Sequence, residues 1–134
     1  MIKFTVPGIP KAQARHRMVR MGKFLRAYDP KESVDFKSGV KFFFLKSSGA
    51  ELRLGPVTLR IEVFAKRPKK FDGKKYPDGK IVCITRPDAD NYAKIIMDAL
   101  NGVAWKDDSQ IYFLWVEKNY HEKMGSPRME ITIE

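Results

Sequence analysis

The sequence holds one cysteine, Cys83, and two histidines, His16 and His121. A single cysteine excludes an internal disulfide and a thiolate metal cluster, and it suits a reducing compartment. The two histidines have no ligand spacing between them, so a histidine-centred metal site has no support. Cys83 has no nucleophile signature around it and reads as a small core residue. Long apolar runs are missing too. VKFFFL and IYFLWV are the longest, far below the ~20 residues that span a bilayer. The opening MIKFTVPGIPKAQARHR lacks the continuous apolar segment of a secretory leader. The expectation is a protein of the cytoplasm with no membrane partner. No G-x-x-x-x-G-K-[ST] loop and no G-x-S-x-G elbow occurs.

Negative charge is also scarce. Lys and Arg number 26 against 16 Asp and Glu, a formal net charge of +10 on 134 residues. A field of that sign draws polyanions, nucleic acid first among them. Hydrophobic content of 43% and charged content of 31% describe an ordinary globular chain. The length suits one domain, residues 1–134, with a core large enough to need no staples.

Periodicity supplies the elements. IKFTV alternates as a half-buried strand and stops at Pro7, Gly8 and Pro10. A basic stretch without apolar periodicity follows. Asp29-Pro30 predicts a helix start with Asp29 as cap and Pro30 in the first turn. Phe36, Val40, Phe43 and Phe44 then share one helical face as far as Ser47 to Gly49. VTLRIEVFA is the clearest amphipathic strand, with Val57, Leu59, Ile61 and Val63 on one side. A Lys-, Gly- and Pro-rich loop leads to a short strand, IVCIT. Tyr92, Ile95, Ile96, Ala99 and Leu100 form a helical stripe closed by Gly102. IYFLWVEK reads as a strand buried on both faces, and RMEITI alternates with Met129, Ile131 and Ile133 inward. The class is α/β or α+β: a single mixed sheet covered by two main helices.

Against the basic background, RPDADNYAKIIMDALNGVAWKDDSQ gathers Asp88, Asp90, Asp98, Asp107 and Asp108 around one short helix. One helix cap explains one aspartate, not both Asp88 and Asp90. If that segment is extended, the two carboxylates point the same way and repel, a penalty that a divalent cation removes. Asp107-Asp108, beyond the helix, can fold back toward them. Asp98, four residues after Lys94, reads as a surface ion pair. A positive surface that holds phosphate around carboxylates that hold a metal has the economy of a nuclease.

The same residues resemble the signature of the RusA family of Holliday junction resolvases. Asp88, Asp90 and Asn91, then Lys94, Asp98-Ala99-Leu100, Asp107-Asp108 and Gln110-Ile111 carry the likeness. It implies a RusA-like fold and a small homodimeric crossover junction endodeoxyribonuclease of DNA recombination and repair. It also implies dependence on Mg²⁺, with Mn²⁺ a possible substitute. The family's essential carboxylates match Asp88, Asp90 and Asp108, its lysine matches Lys94, and Asp107 joins the metal set as a helper. The partner implied is branched DNA, four-way junctions above all.

Two basic segments are expected to hold that DNA. One contains Arg15, Arg17 and Arg20. The other contains Lys66, Arg67, Lys69, Lys70, Lys74 and Lys75. Phe24 in the first, and Phe71 and Tyr76 in the second, are candidates to stack at an opened junction. The rival readings are a metal-dependent nuclease for flaps or forks and a basic DNA-binding module without catalysis.

Overall fold

Strand alternation and helical stripes build one layered unit. The computed structural model describes residues 1–14 and 17–134, with the Arg17 side chain also left aside. The chain runs β1 (Ile2–Pro7), β2 (Arg17–Met21), β3 (Phe24–Tyr28), α1 (Lys31–Lys46), β4 (Val57–Ala65), β5 (Ile81–Val82), α2 (Ala89–Leu100), β6 (Ile111–Tyr120) and β7 (Arg128–Ile133). Single 3₁₀ turns occupy Lys69–Asp72 and Asp108–Gln110. The main sheet has the order β1-β7-β4-β6-β5. It is mixed: β4 and β6 are parallel, and the other pairs are antiparallel. The parallel pair needs a long crossover, and α2 lies within it.

Alternation decides which face the helices cover. Ile2, Phe4 and Val6, Leu59, Ile61 and Val63, and Met129, Ile131 and Ile133 are all buried on one face. Val40 and Phe44 of α1 and the Tyr92–Leu100 stripe of α2 close over them. α1 packs against α2 and β1, and α2 against β6. The opposite sheet face carries Lys3, Thr5, Arg60 and Glu62 and lies open to solvent. Among the described residues, no helix is long and apolar enough to cross a membrane.

Four sequence expectations are revised. The basic stretch before α1 holds a hairpin, β2–β3, paired from Arg17↔Tyr28 to Met21↔Phe24. Its exposed residues showed no buried stripe to read, and Gly22 supplies the left-handed turn at φ +61°. Asp29 does not cap α1. Pro30 holds that position, and the Asp29 carboxylate accepts from Lys37 Nζ at 2.7 Å and Gln13 Nε2 at 3.3 Å instead. The strand expected over residues 81–85 is only Ile81–Val82. Finally, β6 is not buried on both faces. Tyr112, Phe113, Leu114 and Trp115 are exposed, because β5 pairs only with Tyr120 and Asn119. Gly102 fits its expected place after α2, with φ +77°.

Candidate active site

The polar face of α2 builds the site. Asp90, Lys94 and Asp98 follow one another at four-residue spacing, so they stack along one side of the helix. The apolar stripe turns the other way, into the core. Asp90 lies in the first turn, where the free backbone N–H groups favour a carboxylate. Across from this row stand Leu114 of β6 and Asp108 of the 3₁₀ turn. Together with Ala93 and Met97 they line a cleft of about 240 Å³. Asp98 pairs with Lys37 of α1 at 3.7 Å, not with Lys94 as the sequence suggested. Among the described residues the Lys94 ammonium makes no ion pair, so it faces the cleft with its charge unspent.

Asp108 is aimed by a buried tryptophan. The Trp105 indole Nε1–H donates to Asp108 Oδ1 at 2.7 Å, and the ring is wholly buried. One carboxylate oxygen is therefore held, and among the described residues the other makes no hydrogen bond. The turn itself is knitted by its neighbours. The Asp107 carboxylate accepts from Ser109 N at 2.9 Å, and Gln110 Oε1 accepts from Asp107 N at 2.8 Å, a reciprocal capping box. The Ser109 hydrogen bond holds the exposed Asp107 carboxyl below its ordinary pKa. Gln110 Nε2 also donates to the carbonyls of Arg53 and Gly55, both at 2.9 Å. Asp107, expected in the metal set, uses one carboxylate oxygen to cap the turn and does not line the cleft.

Trp105 was not singled out by its sequence, although a buried indole N–H always needs an acceptor. Trp105→Phe keeps the packing and loses that hydrogen bond. Losses of such orienting partners cost roughly 10- to 100-fold in metal affinity or activity. A drop of that size in divalent-cation affinity, with the unfolding midpoint only slightly lowered, is the expected result.

The two aspartates at the start of α2 are arranged differently from the extended-strand expectation. Asp88 is the N-cap at φ −71° and ψ 153°, and the helix begins at Ala89. Residues two apart across a helix start do not share a direction. Asp88 stands at the N-terminal end, outside the residues lining the cleft. Its carbonyl serves Asn91 N and Tyr92 N, but its carboxylate makes no capping bond. Among the described residues, no three acidic, histidine or cysteine side chains stand together as a ready-made metal cage. The donor chemistry nevertheless fits a hard divalent cation. Two carboxylates, Asp90 and Asp108, share one cleft, and among the described residues one Asp108 oxygen and both Asp88 carboxylate oxygens, one residue outside α2, make no hydrogen bond. Mg²⁺ is held in nature by so few carboxylates, the rest of its shell being water and phosphate oxygen.

The basic segments divide. Arg20, Lys23 and Arg26 are exposed on the β2–β3 hairpin, and Phe24 at its tip is 78% exposed. Arg15 and the Arg17 side chain lie outside the described residues. Lys66, Lys69, Lys70, Lys74 and Lys75 are exposed. Arg67 is not: its guanidinium is buried and donates to Gly79 O, Phe71 O and Pro77 O at 2.7–2.8 Å, and to His121 O at 3.3 Å. It ties the loop instead of facing phosphate. Phe71 is likewise engaged, packed edge-on against Tyr76 at 5.0 Å and tilted against Tyr120 at 5.5 Å. These rings form the loop's own small core, whereas Phe24 is exposed.

The family model of endodeoxyribonuclease RusA matches residues 7–134, nearly the whole chain. The protein belongs to the RusA family. Its fold accords with that membership: a mixed sheet, two covering helices and the D-x-D, Lys and D-D elements on and around α2. The chain is also 38% identical over 138 residues to the uncharacterized protein YqaN of Bacillus subtilis (strain 168), covering 98% of this chain and 94% of that one. Membership in this endodeoxyribonuclease family makes the RusA-like chain a nuclease, a hydrolase of phosphodiester bonds.

Proposed function

We propose that this RusA-family nuclease is a divalent-metal-dependent, structure-selective endodeoxyribonuclease that resolves four-way DNA junctions by paired symmetric cuts. The observation that carries the reading is the cleft in which Asp90, Asp108 and Lys94, without an ion pair among the described residues, meet on a strongly basic protein. Asp88, Asp90 and Asp108 would hold Mg²⁺, and Mn²⁺ satisfies the same hard oxygen donors. When bound, such a cation polarises the phosphoryl oxygen and makes nearby water a better nucleophile.

The chain's own residues supply the remainder. Trp105 keeps Asp108 from rotating. Lys94 offsets negative charge that builds on the phosphoryl group as water attacks in line, leaving 5′-phosphate and 3′-hydroxyl ends. Ala93, Met97 and Leu114 give the cleft apolar walls, which strengthen those charges. Arg20 on the hairpin, and Lys66, Lys69, Lys70, Lys74 and Lys75 on the loop, contact phosphates of the junction arms. Phe24 is placed to stack on an unpaired base.

Two cuts in two strands call for two sites related by a two-fold axis. The β6 edge supports a homodimer. It hydrogen-bonds to β4 along its length, yet from Ile111 to Lys118 its other edge pairs with no strand among the described residues. It also exposes Leu114 on one face, Phe113 and Trp115 on the other, and Tyr112 at the bulge before them. A long apolar open edge is a template for another strand. Phe113→Lys with Trp115→Glu is expected to yield monomers by light scattering, and to turn paired resolution into isolated nicks.

The deciding assay offers a synthetic four-way junction, linear duplex and flap DNA, each with Mg²⁺ and with chelator. Paired symmetric nicks confined to the junction, and only with the metal, are expected. Equal cutting of flaps would redirect the substrate assignment. Junction binding without any cleavage would leave a basic binding module.

A further inference from the structure

We propose that Lys118 is a positioning residue that sets where Asp88 stands. This rests on the metal-site reading given above. The segment between β5 and α2 is poorly anchored by packing. Residues 84–88 are all exposed, Ile84 at 90%, and only Cys83 ahead of them is buried. A backbone without buried side chains opens readily, and a ligand carried on it is poorly aimed. One side chain replaces the missing packing. The Lys118 ammonium donates to Thr85 O and to Pro87 O, both at 2.6 Å. These carbonyls lie three residues and one residue before Asp88. Two charge-assisted bonds of this length are among the stronger local contacts a surface segment can have.

The strut has a rigid root. Lys118 lies in β6 opposite Val63 of β4, and its own carbonyl accepts from Cys83 N at 3.0 Å. Two residues on, the Tyr120 hydroxyl meets Thr85 Oγ1 at 3.0 Å. The segment is therefore stitched to β6 at three points, and β6 also presents Leu114 to the cleft. Registration of Asp88 then runs through the sheet as well as through its own carbonyl, which accepts from Asn91 N and Tyr92 N at the start of α2. With two of its three protons committed to carbonyls, Lys118 is a poor candidate for gripping phosphate, although the sequence gives it no mark that separates it from the other lysines.

Three proteins test this: the unaltered chain, Lys118→Met, and Lys118→Gln, whose amide is too short to span both carbonyls. Hydrogen exchange without metal reads the segment directly. Both variants are expected to exchange faster at residues 84–88 and unchanged in β4 and β7. Mn²⁺ titration by calorimetry is expected to show about 10- to 100-fold weaker binding, while junction affinity in chelator stays within about twofold of the unaltered protein. Unchanged exchange at 84–88 in the better-folded variant would overturn the strut, whatever the nuclease does. Loss of junction affinity with Mn²⁺ binding intact would also overturn it, by making Lys118 a phosphate contact. If the unaltered protein bound no Mn²⁺, the metal-site reading would fall and the positioning role with it, while the exchange result alone would still report whether Lys118 anchors the segment.

Discussion

Asp90→Asn and Asp108→Asn proteins are expected to bind a four-way junction at least as tightly as the unaltered protein and to cut it roughly 10³-fold more slowly or worse. A bound cation contributes several kcal/mol to a phosphoryl transition state, and each 1.4 kcal/mol is about tenfold in rate. Asparagine keeps the size of aspartate and removes the charge that would retain the metal. At position 108 its carbonyl can still accept from Trp105 Nε1, the bond now made to Asp108 Oδ1, so the turn has no reason to unfold. At position 90 the side chain is exposed on the first turn of α2, so stability is little affected. Binding holds or improves because a negative charge near phosphate is removed. Single-turnover cleavage beside gel-shift titration separates the two effects. Near-normal cleavage by both variants in Mg²⁺ would remove these residues from the chemistry.

Arg67→Ala should be the most damaging change in the basic loop, although Arg67 is buried. Four carbonyls, of Phe71, Pro77, Gly79 and His121, depend on its guanidinium, and Asp72 lies 3.4 Å from its Nε. Hydrogen bonds to a charged group contribute about 1.5–3 kcal/mol each. Allowing for water reaching some of the freed carbonyls, the loss should be about 3–5 kcal/mol, as when one partner of a buried pair is removed. Much of it will appear as local loosening of residues 66–80, since Lys123 also holds the carbonyls of Gly73 and Tyr76. Loss of the tether scatters Lys69, Lys70, Lys74 and Lys75, so junction affinity should fall and its dependence on salt should flatten. Lys70→Ala, by contrast, should cost affinity and leave unfolding unchanged. Chemical unfolding and salt-titrated binding of the two variants provide the comparison.

The same contrast shows what kind of information a chain carries in its order. Alternation revealed β1, β4 and β7, because one face of each meets the core and the other meets water. The 3.6-residue stripe revealed α2, and its spacing placed Asp90 and Lys94 on a common face. The D-x-D and D-D elements marked the nuclease family before any coordinate was known. The hairpin β2–β3 escaped because neither of its faces is buried, so no periodicity was imposed on it. β6 misled for the converse reason. Its apolar run is real, but burial depends on a neighbouring strand, and β5 is two residues long.

Composition and local pattern by themselves determined the basic character, the class of fold, the family and the short list of acidic residues, because each depends on residues close in sequence. Only the tertiary structure decided their employment. Arg67 and Lys70 look alike in the sequence, yet one is a buried tether and the other an exposed cation. Asp107 and Asp108 are neighbours, yet the first caps the turn while the second, held by a buried tryptophan, lines the cleft. Such assignments rest on partners from 2 to 54 residues away. Whether a charge is spent on the fold or left for a ligand depends on which distant atoms reach it first.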